Sequence, residues 1–312
     1  MIPVHIFWSK PMMSKQVNLD TFCMMMLSAM MAKKVFGRVE LMTDWKGSEF
    51  AHKLGIPYDR IYDTLEEVDQ DKGFTTAKVF GYKLISETVP DYLYLDYDVF
   101  IYHHIPHHET IVQVDEGLNM STFSIYHYCM DKGIQFPFKY RKEELKFFNM
   151  GLFKADKEVI EAYHDLYFTT LYKNQHLYTP DFYFDLYAMF LEQNLIYMVL
   201  KNQGKLDTLY EHFPNDRPKH NKYAWIDTPE EVRDQRNYVG EVVAKYGDKA
   251  DHLFDEWFDT PSNFETIDQT GYIHLAHYKN NPNVVKEMLA YGFKHFPFEF
   301  ANLIYEFKRI QN

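Results

Sequence analysis

The chain has 312 residues, with 33 Lys and Arg against 45 Asp and Glu and a formal net charge of -12. Hydrophobic residues make up 46% and charged residues 25%, the composition of a globular protein rather than a disordered one. The acidic balance excludes a general nucleic-acid binder, which needs clustered Lys and Arg to neutralise phosphates, though it leaves room for a local pocket that takes one small anion.

In chain order, Val4-His5-Ile6-Phe7-Trp8 reads as a buried strand. Val17 to Phe36 has helical length and period, and its Met24, Met25, Met30 and Met31 need a core. Gly37 then supplies a helix stop. A strand is predicted at Val39 to Thr43, a helix at Ser48 to Leu54, a strand at Asp59 to Asp63 and a helix at Thr76 to Thr88. Tyr92 to Leu95 is a fourth, very apolar strand that stops at acids. This alternation predicts an α/β fold with a mostly parallel sheet, right-handed crossovers and helices on both faces.

Beyond residue 110 the pattern is less regular. One or two strands are expected within Val112 to Ser124, a strand at Leu145 to Phe153 and a helix at Lys157 to Leu171. A long helix follows at Phe182 to Lys201, and a polar loop at Asp207 to Lys222. Thr228-Pro229-Glu230-Glu231 has the residues of a helix start. Tyr272 to Ala276 reads as a late strand, with closing helices at Asn283 to Tyr291 and Phe298 to Ile310. The last helix gathers Phe300, Leu303, Ile304 and Phe307 on one face. Docking of that face on the domain is expected, with another chain or a membrane as the alternatives. No linker or repeat divides the chain, so one domain over 1–312 is expected.

Two cysteines, Cys23 and Cys129, are too few for a disulfide framework and suit a reducing compartment. The first residues lack the basic and apolar regions of a signal peptide, and Phe22 to Ala32 is about half the length that spans a bilayer. A cytoplasmic location is expected, compatible with peripheral membrane contact.

The sharpest chemical feature is Tyr94-Leu95-Asp96-Tyr97-Asp98-Val99. In an extended segment Asp96 and Asp98 point to the same side. At the carboxyl end of a central strand they would suit a hard divalent ion able to bridge to phosphates. No glycine-rich dinucleotide fingerprint follows the first strand and no P-loop occurs, which excludes the usual dehydrogenase and P-loop readings. The run His103-His104-Ile105-Pro106-His107-His108 invites a zinc reading, but its proline and the lack of a nearby Cys favour a surface loop.

The run Tyr92-Leu93-Tyr94-Leu95-Asp96-Tyr97-Asp98 resembles the Asp-x-Asp strand end of GT-A nucleotide-sugar glycosyltransferases. The likeness is strongest to the glycogenin-type and bacterial lipopolysaccharide or capsule transferases. Ala77-Lys78-Val79 and Tyr82-Lys83 resemble the basic helix before that motif. Phe148-Asn149-Met150-Gly151-Leu152-Phe153 resembles the Phe-Asn-x-Gly strand that lines the sugar pocket. His274-Leu275-Ala276-His277-Tyr278-Lys279 resembles the late His-x-x-Gly-x-x-Lys segment, without its glycine and one residue shorter from His to Lys.

The resemblance implies a GT-A, Rossmann-like fold with a nucleotide-binding half (1–110), a sugar and acceptor half (111–280) and C-terminal helices (281–312). It implies a Mn²⁺ or Mg²⁺ ion on Asp96, Asp98 and His274, with His277 as the alternative ligand. Donor contacts fall on Trp8, Ser9, Thr43, Asp44, Lys78, Asp96, Asn149, Gly151 and Lys279. For a group facing the sugar, Glu192 and Gln193 rank first and Asp181 second. The implied reaction moves a sugar from a nucleotide-diphosphate donor, UDP-linked by preference, to a saccharide or lipid-linked acceptor, with retention favoured. The competing readings are a sugar-phosphate nucleotidyltransferase and a non-catalytic carbohydrate-binding or scaffold protein.

Overall fold

The computed structural model describes residues 1–10, 18–68, 74–115, 120–138, 145–179, 181–212, 272–275, 279 and 282–311. The helix start expected at Thr228 and the alternative ligand His277 lie outside these residues. Among the described residues a seven-stranded sheet forms the centre. It contains β1 (Ile2–Phe7), β2 (Glu40–Thr43), β3 (Arg60–Asp63), β4 (Tyr92–Leu95), β6 (Thr110–Asp115), β7 (Phe148–Lys154) and β8 (Leu209–Glu211). The order across the sheet is β3-β2-β1-β4-β7-β6-β8. Every neighbouring pair is parallel except the two that involve β7, which runs against both β4 and β6. A separate two-stranded antiparallel pair joins β5 (Val99–Ile101) to β9 (Tyr272–His274).

Alternate residues of each central strand feed two different cores, as period-two side chains must in a sheet covered on both faces. Val4, Ile6, Tyr92 and Tyr94 enter one core, whereas Phe7, Leu93 and Leu95 enter the other. The first core is closed by α3 (Phe74–Thr88), α4 (Met120–Asp131), α5 (Lys157–Lys173) and α6 (Phe184–Asn202). The second is closed by α1 (Leu19–Phe36), α2 (Trp45–Lys53), α7 (Pro282–His295) and α8 (Pro297–Gln311).

Met24, Met25, Met26 and Met31 of α1 are buried in the core, and Met30 is half-buried against it. Asn18 caps the start of this helix and Gly37, at φ 77, ends it in the left-handed region that favours glycine. The terminal helix docks as expected, burying Phe300, Leu303 and Phe307.

Three expectations need correction. The strand content predicted for Val112 to Ser124 stops at Asp115, and residues 120–131 are helical. Their β-branched and aromatic residues mimic a strand, yet Ser124, Ile125, Tyr128 and Cys129 are buried at helical spacing. The polar segment after Asp207 holds the short edge strand β8 rather than only a loop. Asp96 and Asp98 are not extended: they lie in a tight turn between β4 and β5, closed by Val99 N donating to Asp96 O at 3.0 Å.

Candidate metal and diphosphate site

The site forms at the carboxyl end of β4, where the two cores meet. The Asp96–Val99 turn reverses the chain into β5, and β5 pairs antiparallel with β9 so that Val99 faces His274. Leu275 N also donates to Asp98 O at 3.0 Å. These backbone ties bring a residue 176 positions downstream onto the turn. His274 Nε2 lies 3.8 Å from Asp96 Oδ2 and 3.6 Å from Asp98 Oδ1. One ligand atom from each of the three residues falls within 4.8 Å of the others. Atoms bound about 2.1 Å from one ion sit roughly 3–3.5 Å apart, so a small contraction would let the three residues supply three ligands and leave the remaining positions open.

The tautomer suits a ligand. His274 Nδ1 lies 2.9 Å from Gln113 Oε1, and the Tyr272 hydroxyl donates to the same oxygen at 2.7 Å. With Gln113 Oε1 accepting, Nδ1 carries the proton and Nε2 keeps its lone pair toward the carboxylates. Gly151 makes room for this arrangement. A Cβ there would stand 2.6 Å from His274 Cε1 and 2.7 Å from Gln113 Oε1. Gly151 O also accepts from Asp96 N at 2.8 Å, and Asn149 Oδ1 accepts from Gly151 N at 3.0 Å.

Two ammonium groups flank the turn. Lys279 Nζ lies 3.2 Å from Asp98 Oδ2 and over the Tyr97 ring at 5.4 Å. Burial favours the neutral form of the Asp98 carboxyl, but the Lys279 ammonium outweighs it and holds the group below the usual range. Lys78 Nζ bridges Asp96 Oδ1 at 3.1 Å and Glu192 Oε1 at 2.9 Å. Burial alone would lower this ammonium; Asp96 and Glu192 reverse the effect and raise it.

Behind Lys78, Glu192 is 3% exposed. It accepts from the Tyr82 hydroxyl at 3.2 Å, and its backbone oxygen accepts from the Tyr163 hydroxyl at 2.8 Å. Burial raises the Glu192 carboxyl, with Lys78 pulling the other way. The Tyr94 hydroxyl donates to Asp96.

The remaining candidate residues divide clearly. Trp8 follows β1, is buried in the core beneath α3, and has an indole N–H with no hydrogen-bond partner. Ser9 donates its N–H and hydroxyl to Asp44 Oδ2 at 3.1 and 2.9 Å. Asp44 Oδ1 caps α2 through Gly47 N at 2.8 Å, and the Thr43 hydroxyl donates to Phe7 O. This trio knits the ends of β1 and β2 together. Gln193 is half-buried next to Glu192 on α6. Asp181 stands elsewhere, exposed and paired with Lys132 at 3.2 Å.

The four-histidine run disperses along the β5–β6 loop. His104 meets Phe36, His107 pairs with Asp91, and His108 stacks on Tyr210. Among the described residues the only group of three or more potential ligands that converges is Asp96, Asp98 and His274.

Sequence reading missed Gln113, Tyr272, Tyr82 and Tyr94. Gln113 carried a signal: a lone amide in the middle of the apolar run Thr110-Ile111-Val112-Gln113-Val114 marks a buried polar group that needs partners. The tyrosines carried none, because a buried Tyr on a helix or strand looks the same whether or not its hydroxyl serves a site.

Among curated proteins none matches the chain. Similar solved structures include the following three. Mouse xyloside xylosyltransferase 1 in its apo form is 10% identical, with 91% of this chain and 99% of that chain covered and a TM-score of 0.40. An active-site mutant of LgtC is 11% identical over 88% of this chain and 86% of its own, with a TM-score of 0.37. The glycosyltransferase GlyE of Streptococcus pneumoniae TIGR4 is 11% identical over 99% of this chain and 63% of its own, with a TM-score of 0.39. A family model matches residues 3–249, a span that holds Asp96, Asp98, Gly151 and Glu192, and by that match the chain belongs to DUF6734, a family of unknown function.

Proposed function

We propose that the protein is a metal-dependent glycosyltransferase that takes a sugar from a nucleotide-diphosphate donor, UDP-linked by preference, and passes it to a saccharide or glycolipid. One observation carries this reading: Asp96, Asp98 and His274 converge at the carboxyl end of a central strand with Lys279 and Lys78 beside them. A divalent ion held there, Mn²⁺ or Mg²⁺, would act as a Lewis acid on the phosphate oxygens of the donor.

The chain's own groups do the rest. Asp96, Asp98 and Glu192 against Lys78 and Lys279 leave one negative charge, so a divalent ion would turn the site net positive toward a diphosphate. Lys279, a third exposed, meets the leaving diphosphate and offsets the charge that builds as the glycosidic bond breaks. Lys78 holds Asp96 in place, and Glu192 acts through Lys78 rather than on the sugar, consistent with its burial. Asn149 and Gly151 border the sugar, and Trp8, Ser9, Thr43 and Asp44 shape the floor under the nucleoside. Retention is the favoured outcome.

The test is incubation with Mn²⁺ and a panel of nucleotide sugars, with donor hydrolysis and thermal stabilisation as readouts. One donor should be cleaved slowly and should raise the melting temperature only with metal. Asp98→Asn should abolish both. Absence of binding by every donor, with and without metal, would sink the proposal. The anomeric configuration of the released sugar, read by NMR, decides retention.

A further inference from the structure

Two ammonium groups stand at the carboxyl end of β4, and the structure holds them differently. Lys78 is buried and committed: it meets Asp96 Oδ1 at 3.1 Å and Glu192 Oε1 at 2.9 Å, with the Tyr94 ring 5.3 Å away. Glu192 is buried with it and balances that charge whatever else the site holds. Lys279 is a third exposed, and Asp98 is the only carboxylate it pairs with among the described residues. The contact rests on charge rather than on a well-aimed hydrogen bond. Asp98 Oδ2 is buried and accepts no hydrogen bond among the described residues, although the Lys279 ammonium lies 3.2 Å away. The second support of that ammonium is the Tyr97 ring, 5.4 Å from it, which Phe7 meets edge-on at 6.0 Å.

Asp98 therefore faces two cationic positions. Its Oδ1 lies 3.6 Å from His274 Nε2, on the side of the metal triad, and its Oδ2 faces Lys279. The two oxygens share one negative charge, so whatever the ammonium neutralises at Oδ2 is lost to an ion at Oδ1, and the ammonium also repels that ion. The same chain segment carries both groups. His274 and Lys279 are five positions apart, and Leu275 N between them donates to Asp98 O at 3.0 Å.

We propose that Lys279 is an internal counter-cation for Asp98: it competes with the divalent ion for that carboxylate, and a bound diphosphate relieves the competition by drawing the ammonium away. This competition presupposes the metal reading above and adds a regulation to the same site. Without a diphosphate, Asp98 meets an incoming ion with its charge already neutralised in part. With one, Lys279 gains a more highly charged partner and Asp98 keeps its full charge for the ion. Lys78 has no such exchange open to it, because its departure would strand Glu192 without a cation. Metal loading is thereby coupled to the presence of a diphosphate rather than to the free metal concentration alone.

The experiment is calorimetric titration of the full chain with Mn²⁺ in the absence of nucleotide, for the parent, Lys279→Met and a control, Lys10→Met. Lys10 follows β1 and pairs with Glu66 at 3.0 Å, so its loss removes the same charge from the same edge of the sheet. Lys279→Met should bind Mn²⁺ about tenfold more tightly than the parent, and Lys10→Met should stay within about twofold of it. Saturating UDP should erase or reverse the difference between the parent and Lys279→Met. Melting temperatures supply a second readout for a variant too unstable to titrate. Lys279→Met leaves the Asp98 charge buried and unmatched, so it should melt below the parent without metal and gain more than the parent does when Mn²⁺ is added. A lysine with a merely structural role would leave a deficit that Mn²⁺ does not narrow. Parent binding that Lys279→Met leaves unchanged or weakens overturns the counter-cation and leaves the metal reading standing. So does an equal gain in Lys10→Met, or a gain in Lys279→Met that saturating UDP does not alter. Failure of the parent and Lys279→Met alike to bind Mn²⁺ overturns the metal reading and the counter-cation together.

Discussion

The two cores on either side of the sheet are built from different materials. Beneath α3, α5 and α6 the core is tyrosine-rich: Tyr82, Tyr94, Tyr163 and Tyr167 are all fully buried. Beneath α1, α7 and α8 methionines and phenylalanines such as Met24, Met25, Met26, Phe22 and Phe300 pack among leucines, with Tyr272 and Tyr291 as the only buried tyrosines among the described residues. The aromatic side packs by edge-to-face contacts, with Tyr82 4.8 Å from Tyr94 and 5.0 Å from Phe153 between ring centroids. It also presents hydroxyl donors to Asp96 and Glu192. The methionine side fills space and leaves its buried imidazole, His5, uncharged. Burying charge requires partners, and the side that holds Lys78 and Glu192 supplies them in the form of tyrosines.

Substitutions can break this contrast, the strongest first. Lys78→Met strands Glu192 in a buried setting and should cost about 3–5 kcal/mol of stability by chemical denaturation. Adding Glu192→Leu should restore most of it. A cost below about 1 kcal/mol for Lys78→Met would mean that the ion pair is not buried in solution.

On the methionine side, the His5 network is neutral. Tyr58 OH donates to His5 Nδ1 (2.7 Å), and His5 Nε2 donates to Ser28 Oγ (3.0 Å), whose own proton goes to Val99 O. Burial pulls the imidazole down from 6.5 to about 4, against the pull of Asp96 and Asp98. Because the folded value lies below the unfolded one, the unfolded chain takes up the proton first. The contribution is complete above pH 6.5 and is lost as pH falls toward 4, about 3 kcal/mol in all. Stability curves of His5→Gln should be flatter than the parent's across this window by that amount. Parallel curves would refute the neutral assignment.

Gly151→Ala tests the seam between the two cores. The added methyl group pushes on His274 and Gln113, and Mn²⁺ affinity measured by calorimetry should fall about 10- to 100-fold. Unchanged affinity would show that the imidazole is not a ligand.

The mildest pair compares the two materials directly. Tyr82→Phe removes a hydrogen bond to a charged group and should cost about 1.5–3 kcal/mol. Met25→Leu, a volume-conserving exchange in the other core, should cost less than about 1.5 kcal/mol. Equal costs would mean that the Tyr82 hydroxyl contributes nothing beyond packing.

Much of this was legible from residues alone. The strands from Ile2 to Leu95 alternate with helices of ordinary length, and each has an apolar run bounded by polar punctuation. Asp96 and Asp98 stood out because they interrupt such a run. What was hidden depends on distant partners. β5 and β9 have three residues each and pair across more than 170 positions, too short and too remote for any periodic signal. Helix α4 was masked by its own composition, since Phe123, Ile125, Tyr126 and Tyr128 favour strands until tertiary packing overrides them. The role of Glu192 was legible only as a carboxylate in a helix. That it faces Lys78 follows from how α3 and α6 cross.

The short β5–β9 pair also sets an order of events during synthesis. Asp96 and Asp98 leave the ribosome early, while His274 and Lys279 arrive after some 175 more residues. Until then a nascent chain holds two carboxylates with no imidazole, a weak grip on a divalent ion. Closing so long a loop is slow compared with forming the local strand–helix units. Under the proposed metal reading, tight loading would therefore report a finished chain, and a product truncated before β9 would lack the imidazole that completes the triad.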